Sequence, residues 1–396
     1  NNEKAVLLLE KRTFKELLVD MELRNLQNNI VGQEASRLFA RAEINMGVEA
    51  FRDSLYSLLK RNTFLNIKFE NMLDTLGEIS RTDIRSLLGE WEKTTPLPFY
   101  SLGEPTLTKI TNKGGEEFFV LKMLISNNSD YDGIIHMDIR KDGWWYQPLE
   151  DPRAKTKIEM PAHTSKEFVS VWEDQIRNVE INTMVSGNLP NIISQDINNV
   201  KQERNKIVKD SIYILPESSF DLPGEIIVDN EDSTLFILSA PPIVGLLPKW
   251  LDEVEETPFK YSGISWWRPP LQWTATTNDR YYGKYIRSAF VIKSGDGSQT
   301  ATWKVPVPEV GQYDLYYHVF KDDELRWNNN LQGEYHFKVK YGSEVEDAYV
   351  NLRKANEGWE QLGSYYFDSD TIRVVLTDEC KLRSVTADAV KIVKRY

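Results

Sequence analysis

"GWEQLGSYYFDSD", residues 358–370, crowds Gly358, Trp359, Leu362, Gly363, Tyr365 and Phe367 into one short stretch. Two readings compete for it: a surface whose aromatic rings meet carbohydrate, or the closing strands of a β-sandwich. The chain then runs to "VTADAVKIVKRY", whose Ala389-Val390-Lys391-Ile392-Val393 is again strand-like. Upstream lie "SAFVIKSGDGSQTATWKVPV", "GQYDLYYHVF", "GEYHFKVKYG" and "DAYVNLR", and between the two terminal stretches "TIRVVLTD". Short apolar-alternating runs with Gly-containing turns between them are the expectation for a β-sandwich or jelly roll over residues 258–396.

Further upstream the period changes. In "MGVEAFRDSLYSLLKRN" the residues Val48, Phe51, Leu55, Leu58 and Leu59 recur at steps of three and four, the spacing of one helix face. Phe14, Leu17, Leu18 and Met21 make a second stripe. In "SRTDIRSLLGEW", Ser80 is the expected N-cap and Asp83 its reciprocal partner, ahead of Ile84, Leu87, Leu88 and Trp91. Pro96 and Pro98 close this region, so residues 1–97 read as a helical domain. From Tyr100 the period is two, with turns at 127–130 and 141–143, and residues 98–190 read as an immunoglobulin-like β-sandwich. Residues 191–257 read as a connector packed on its neighbours, with "NVKQERNKIVKDS" as a short helix. The fold class expected is therefore multidomain α + β: helices, an immunoglobulin-like sandwich, then a jelly-roll-like sandwich.

Composition narrows the function. The chain has 396 residues, 60 acidic against 48 basic, and a net charge of −12. Such a surface gains nothing from counterion release, which argues against nucleic acid as a partner. Cys380 is the only cysteine, so neither an intrachain disulfide nor a thiolate metal cluster can form. The apolar stretch 235–251 is interrupted by Pro241, Pro242 and Pro248 and is too short for a span of about 20 residues. The opening "NNEKAVLLLEKRTFKELLVDM" has helical character and no signal-peptide pattern, which suggests a processed piece or a fragment.

Catalytic motifs are sparse. His136, His163, His318 and His336 lie too far apart for a zinc helix with two histidines four residues apart, and the plain reading of each is a packed or edge histidine. "SGDGS" at 294–298 is better explained by a hairpin turn than by a phosphate loop. The acidic turns "SDYDG", "DNEDS" and "KDDE" lack the full spacing of a calcium loop, so each reads as a solvated turn and structural calcium has no motif to support it. A facing carboxylate pair of the glycosidase kind cannot be read from sequence. Aromatics remain: Trp266, Trp267, Trp273, Tyr281 and Tyr282 cluster in "SGISWWRPPLQWTATTNDRYYGKY" and are the candidate carbohydrate-binding residues, with core packing as the competing role. "DGWWY" at 142–146 carries the same ambiguity.

Residues 258–396 resemble the golvesin and xanthan-lyase carbohydrate-binding-like domain, through Trp359-Glu360-x-Leu362-Gly363-x-Tyr365-x-Phe367 and the terminal Ala387-Asp388-Ala389-Val390. That resemblance implies a sandwich appended to exported bacterial enzymes, with Asp388 fixing its last strand. Residues 30–230 are similar to the region after the zinc site of the gluzincin aminopeptidases, where helices lead into a sandwich, but the His-Glu-x-x-His helix and its downstream Glu are absent. The resemblances together imply a non-catalytic C-terminal region of a bacterial, membrane-tethered zinc aminopeptidase-like protein on the extracytoplasmic side. Its zinc would belong to a catalytic part outside this chain, which itself holds no cofactor and no catalytic site. The alternative is a stand-alone extracytoplasmic glycan-binding or adhesion protein.

Overall fold

A computed structural model describes residues 2–63, 65–81, 83–88, 93–141, 147–204, 208–216, 224–239, 260–261, 263–265, 268–321 and 333–395. The chain divides into two compact units, Asn1–Phe220 and Asp221–Tyr396. It is a multidomain α + β protein, mostly strand, with its helices near the N-terminus.

The first unit begins with helices Asn2–Lys11, Phe14–Val19, Arg24–Met46, Val48–Arg61, Phe69–Ser80 and Ile84–Leu88. Thr13 and Glu16 form a reciprocal capping box at the second of these. The Val48–Arg61 helix buries Phe51 and Leu58 against Leu38, Leu73, Leu76 and Ile84. Val48 and Leu59 instead face solvent at 60% and 61% exposure, so the buried stripe is narrower than the spacing implied. Ser80 is the last residue of its helix rather than the cap of the next; Asp83 does that work by accepting from the Ser86 backbone N–H at 3.1 Å. Trp91 lies outside the described residues.

Two sheets follow in the same unit. One runs, in spatial order, Val200–Arg204, Thr106–Thr111, Glu117–Asn127, Thr164–Trp172 and Ser211–Pro216, with Tyr100–Leu102 also paired to Glu117–Asn127. The other orders Gln147–Pro148, Gly133–Lys141, Ile176–Asn182 and Ile192–Asp196, with Lys155–Met160 also on Gly133–Lys141. Leu107, Leu121, Met123 and Ile125 from the first sheet meet Ile135, Met137, Ile139, Val179 and Ile181 from the second in one core. Alternate residues of each strand supply it, as a two-sheet sandwich requires.

The expected connector is not one element. Its residues supply Ile192–Asp196, Val200–Arg204 and Ser211–Pro216 to the first unit and Glu225–Val228 and Phe236–Ser239 to the second. Val200–Arg204, expected as helix, is a strand pairing in parallel with Thr106–Thr111. Residues 240–257 lie outside the description.

In the second unit one sheet orders Glu225–Val228, Val390–Lys394, Gly311–Val319 and Gly358–Phe367; a second orders Phe236–Ser239, Thr300–Pro306, Thr371–Thr377, Glu334–Tyr341 and Glu344–Asn351. A smaller sheet joins Thr274–Thr277, Ser288–Lys293 and Ser384–Ala387. The inward residues Trp303, Tyr313, Tyr317, Phe337 and Phe367 are all buried in one core. Burying each such aromatic contributes on the order of 2–3 kcal/mol. "SGDGS" is not a hairpin turn, because the strands on either side of it belong to different sheets. It is a crossing, pinned where buried Asp378 accepts from the Gly297 backbone N–H at 2.8 Å.

Candidate functional site

A β-bulge divides the stretch that opened the sequence reading: opposite Leu315 and Tyr316 the register skips Leu362, so positions before it change face relative to those after it. Tyr365 and Phe367 turn inward and are buried, whereas Trp359, at the start of the same strand, is half-buried on the outer face of the four-stranded sheet. Its cross-strand partner there is His318. Their rings meet edge-on with centroids 5.1 Å apart, and Tyr282 packs on both, 5.1 Å from Trp359 and 5.8 Å from His318.

The aromatic group stands on a buried carboxylate. Asp388, fully buried, lies between the last two strands; one of its oxygens is 2.9 Å from His318 Nδ1, and the carboxylate accepts from the Tyr282 backbone N–H at 3.1 Å. Its main-chain carbonyl accepts from Trp303 Nε1 at 3.1 Å. Burial pushes the Asp388 carboxyl above its ordinary value, and His318 works against that shift. Asp229 is raised well above the ordinary range, first by burial and then by the nearby charge of Asp388.

A cation closes the other side. Lys391 Nζ sits 4.7 Å from the Trp359 ring centroid and 5.4 Å from that of Tyr316, within cation–π range. Glu225 holds it in place at 2.9 Å. Gln361 and Asp314 continue the outer face, where Gln361 Nε2 donates to Asp314 at 3.1 Å. The result is a rigid patch of ring edges, an ammonium and hydrogen-bonding groups. The His318 ring is held at Nδ1 by Asp388 and packed against Tyr282 and Trp359.

The five residues singled out by sequence fare differently. Trp266 and Trp267 lie outside the described residues, as does the 142–146 stretch. Tyr281 is buried with Ala289 and Phe320. Trp273 packs on the main core. Tyr282 alone of the described three joins the outer patch, and His318, Trp359, Asp388 and Lys391 join it there. His336 is paired on the surface with Asp347 at 2.7 Å. In the acidic turns, Asp130 meets His163 at 2.8 Å and Asp232 accepts from the Asp229 backbone N–H at 2.9 Å. Among the described residues no group of three or more His, Cys, Asp or Glu is arranged to hold a metal ion.

Residues 269–394 match the family model of the Golvesin C-terminal domain. The golvesin-type match thus takes in the second unit's sandwich from just before its Thr274–Thr277 strand, and every residue of the patch except Glu225. No curated protein matches the chain. Among solved structures, a Bacteroides uniformis β-glucuronidase aligns over 80% of this chain and 32% of its own at 11% identity and a TM-score of 0.22. A structure of Sulfolobus Turreted Icosahedral Virus aligns over 78% and 96% at 10% identity and a TM-score of 0.16. The chain spans about a third of the length of the β-glucuronidase, and likenesses at these scores carry no argument. Among the described residues no helix is long and apolar enough to cross a membrane.

Proposed function

We propose that the second unit is a non-catalytic, carbohydrate-contacting module working outside the cytoplasm. The observation that carries the reading is the half-exposed Tyr282–Trp359 pair, held from beneath by the contact of His318 with buried Asp388 and flanked by Lys391. Ring faces and edges fixed in advance cost little ordering on contact with a pyranose, and the neighbouring amide and carboxylate groups match hydroxyls. The golvesin-type match supports both the module class and its extracytoplasmic placement. The accessory role, in which this module serves a zinc aminopeptidase-like protein whose catalytic part lies outside this chain, rests on the sequence likeness of residues 30–230 alone.

The test is affinity electrophoresis of the intact protein through gels containing neutral and acidic polysaccharides. Wild type is retarded by at least one of them, and Tyr282→Ala and Trp359→Ala lose that retardation while keeping the thermal transition of the second unit. Equal retardation of both variants and wild type would sink the reading.

A further inference from the structure

The opposite face of the golvesin-type unit carries a feature that the aromatic patch does not use. Along the five-stranded sheet, register places Lys304 directly opposite Arg373 and Arg373 directly opposite Lys340. Lys338, two residues before Lys340, points to the same side. Directly opposed side chains on neighbouring strands have Cβ atoms about 5 Å apart, and like charges so placed repel. None of these four cations makes an ion pair or side-chain hydrogen bond with a described residue. Arg373 and Lys340 are exposed and Lys304 half-exposed. In a chain of net charge −12, acidic residues were available to neutralise the row, yet the described ones nearest to it turn elsewhere. Asp347, across from Lys338, is taken by His336 Nε2 at 2.7 Å, and Glu379 lies 3.7 Å from His336 Nδ1.

At the acidic end of the same face stands an exposed ring. Tyr349 is 57% exposed and stacks on His336, with ring centroids 4.9 Å apart and planes 8° apart. From His336 to Lys340 is four residues of strand, about 13 Å, and the cation row crosses three strands, about 10 Å. The surface therefore carries an aromatic platform at one end and, at the other, a row of cations that no described residue neutralises.

We propose that this face binds an acidic polysaccharide, with the Lys304–Arg373–Lys340 row taking its carboxylates and Tyr349 stacking on a sugar ring; this rests on the carbohydrate-contacting reading of the unit. Charge complementarity names the occupant. A guanidinium fork receives a carboxylate in bidentate fashion, and lysines on either side extend the field to the next charged sugar. Duplex nucleic acid fits poorly, because a small row on a strongly acidic protein cannot offset the repulsion of so dense a polyanion.

The experiment measures binding of the intact protein to polygalacturonate, dextran, dextran sulfate, duplex DNA and anionic lipid vesicles at two salt concentrations. Polygalacturonate should bind in preference to dextran, weaken with salt, and weaken at least tenfold in the triple variant Lys304→Gln, Arg373→Gln, Lys340→Gln. A control variant of the same charge change in the helical region, Arg52→Gln, Lys60→Gln, Lys68→Gln, should bind as wild type. Removing opposed like charges should leave the thermal transition unchanged or raise it, which separates lost binding from lost folding. Equal weakening in the control variant, no effect of the triple variant, no binding of polygalacturonate, or DNA, vesicles or dextran sulfate bound as well as polygalacturonate would each overturn the inference. Neutral-glycan binding that depends on Trp359, without preference for polygalacturonate, would overturn it and leave the aromatic-patch reading standing. Polygalacturonate binding lost in the triple variant but intact in Trp359→Ala would uphold the inference and refute that patch as the contact surface.

Discussion

Replacing Asp388 by alanine tests whether the buried carboxylate organises the aromatic patch. An ionised carboxylate only accepts hydrogen bonds, so in this pairing His318 donates from Nδ1, at 2.9 Å, alongside the Tyr282 backbone N–H at 3.1 Å. Asp388→Ala strands both donors beneath the packed rings. A buried donor left unmade costs about 1–3 kcal/mol, so the pair costs roughly 2–6 kcal/mol. Asp388→Asn keeps one acceptor and should cost about half as much. The Trp303 contact uses the Asp388 main-chain carbonyl and survives both changes. For a unit of this size each kcal/mol moves the midpoint by about 2–4 °C, so a central loss of about 4 kcal/mol lowers it by roughly 8–16 °C. Near-UV circular dichroism during heating of the intact protein follows the change, and quenching of tryptophan fluorescence at low temperature reports whether Trp359 is freed. A midpoint for Asp388→Ala within about 1 kcal/mol of wild type, with unchanged quenching, would refute the claim that this carboxylate holds the patch.

The remaining predictions concern charge and backbone. Asp229 and Asp388 both have folded-state values above their unfolded ones, so the native state holds their protons more tightly. The stability they confer is complete below the ordinary aspartate value and is lost as pH rises through the folded values. Asp229→Asn should therefore gain on wild type as pH increases from about 4 to 8 in urea titrations of the second unit; a difference that stays constant with pH would contradict this assignment. Gly283 has φ +153°, and a Cβ there would lie 1.9 Å from the Ile286 carbonyl oxygen, so Gly283→Ala must move the backbone beside Tyr282. That variant should cost at least about 2 kcal/mol in denaturant unfolding and weaken whatever glycan binding Tyr282 supports, and a neutral result on both would show that the loop accommodates the methyl group.

What the sequence disclosed follows the range of the forces involved. The strands of the second unit were legible from Ser288 onward because apolar alternation is local: Tyr313, Leu315 and Tyr317 declare one face without reference to any other strand. Glu225–Val228 and Phe236–Ser239 fall in the expected connector, where "LPGEIIVDNEDSTLFILSAPP" reads only as an extended segment with an acidic turn; what makes them strands is pairing with Val390–Lys394 and Thr300–Pro306 much later in the chain. The golvesin-type resemblance was visible in residues 358–367 and 387–390, and the family match bears it out for the C-terminal part, whereas nothing beyond the sequence likeness speaks for the peptidase context.

The two surfaces were less legible than the fold for the same reason. Tyr282 and Asp388 are 106 residues apart, and His318 and Trp359 come from two other strands, so a window rich in aromatics pointed to Tyr282 and equally to the buried Tyr281 beside it. Solvent-facing and inward positions alternate along a strand, but only the register shows which outward residues are neighbours. Lys304, Arg373 and Lys340 each occupy an ordinary outward position between apolar residues, and nothing local marks any of them. Pairing sets them side by side, and opposed like charges on a sheet are a cost that folding alone gives no reason to keep. A cost of that kind, borne at the surface of an acidic chain with carboxylates to spare, is the physical ground for expecting an anionic ligand there.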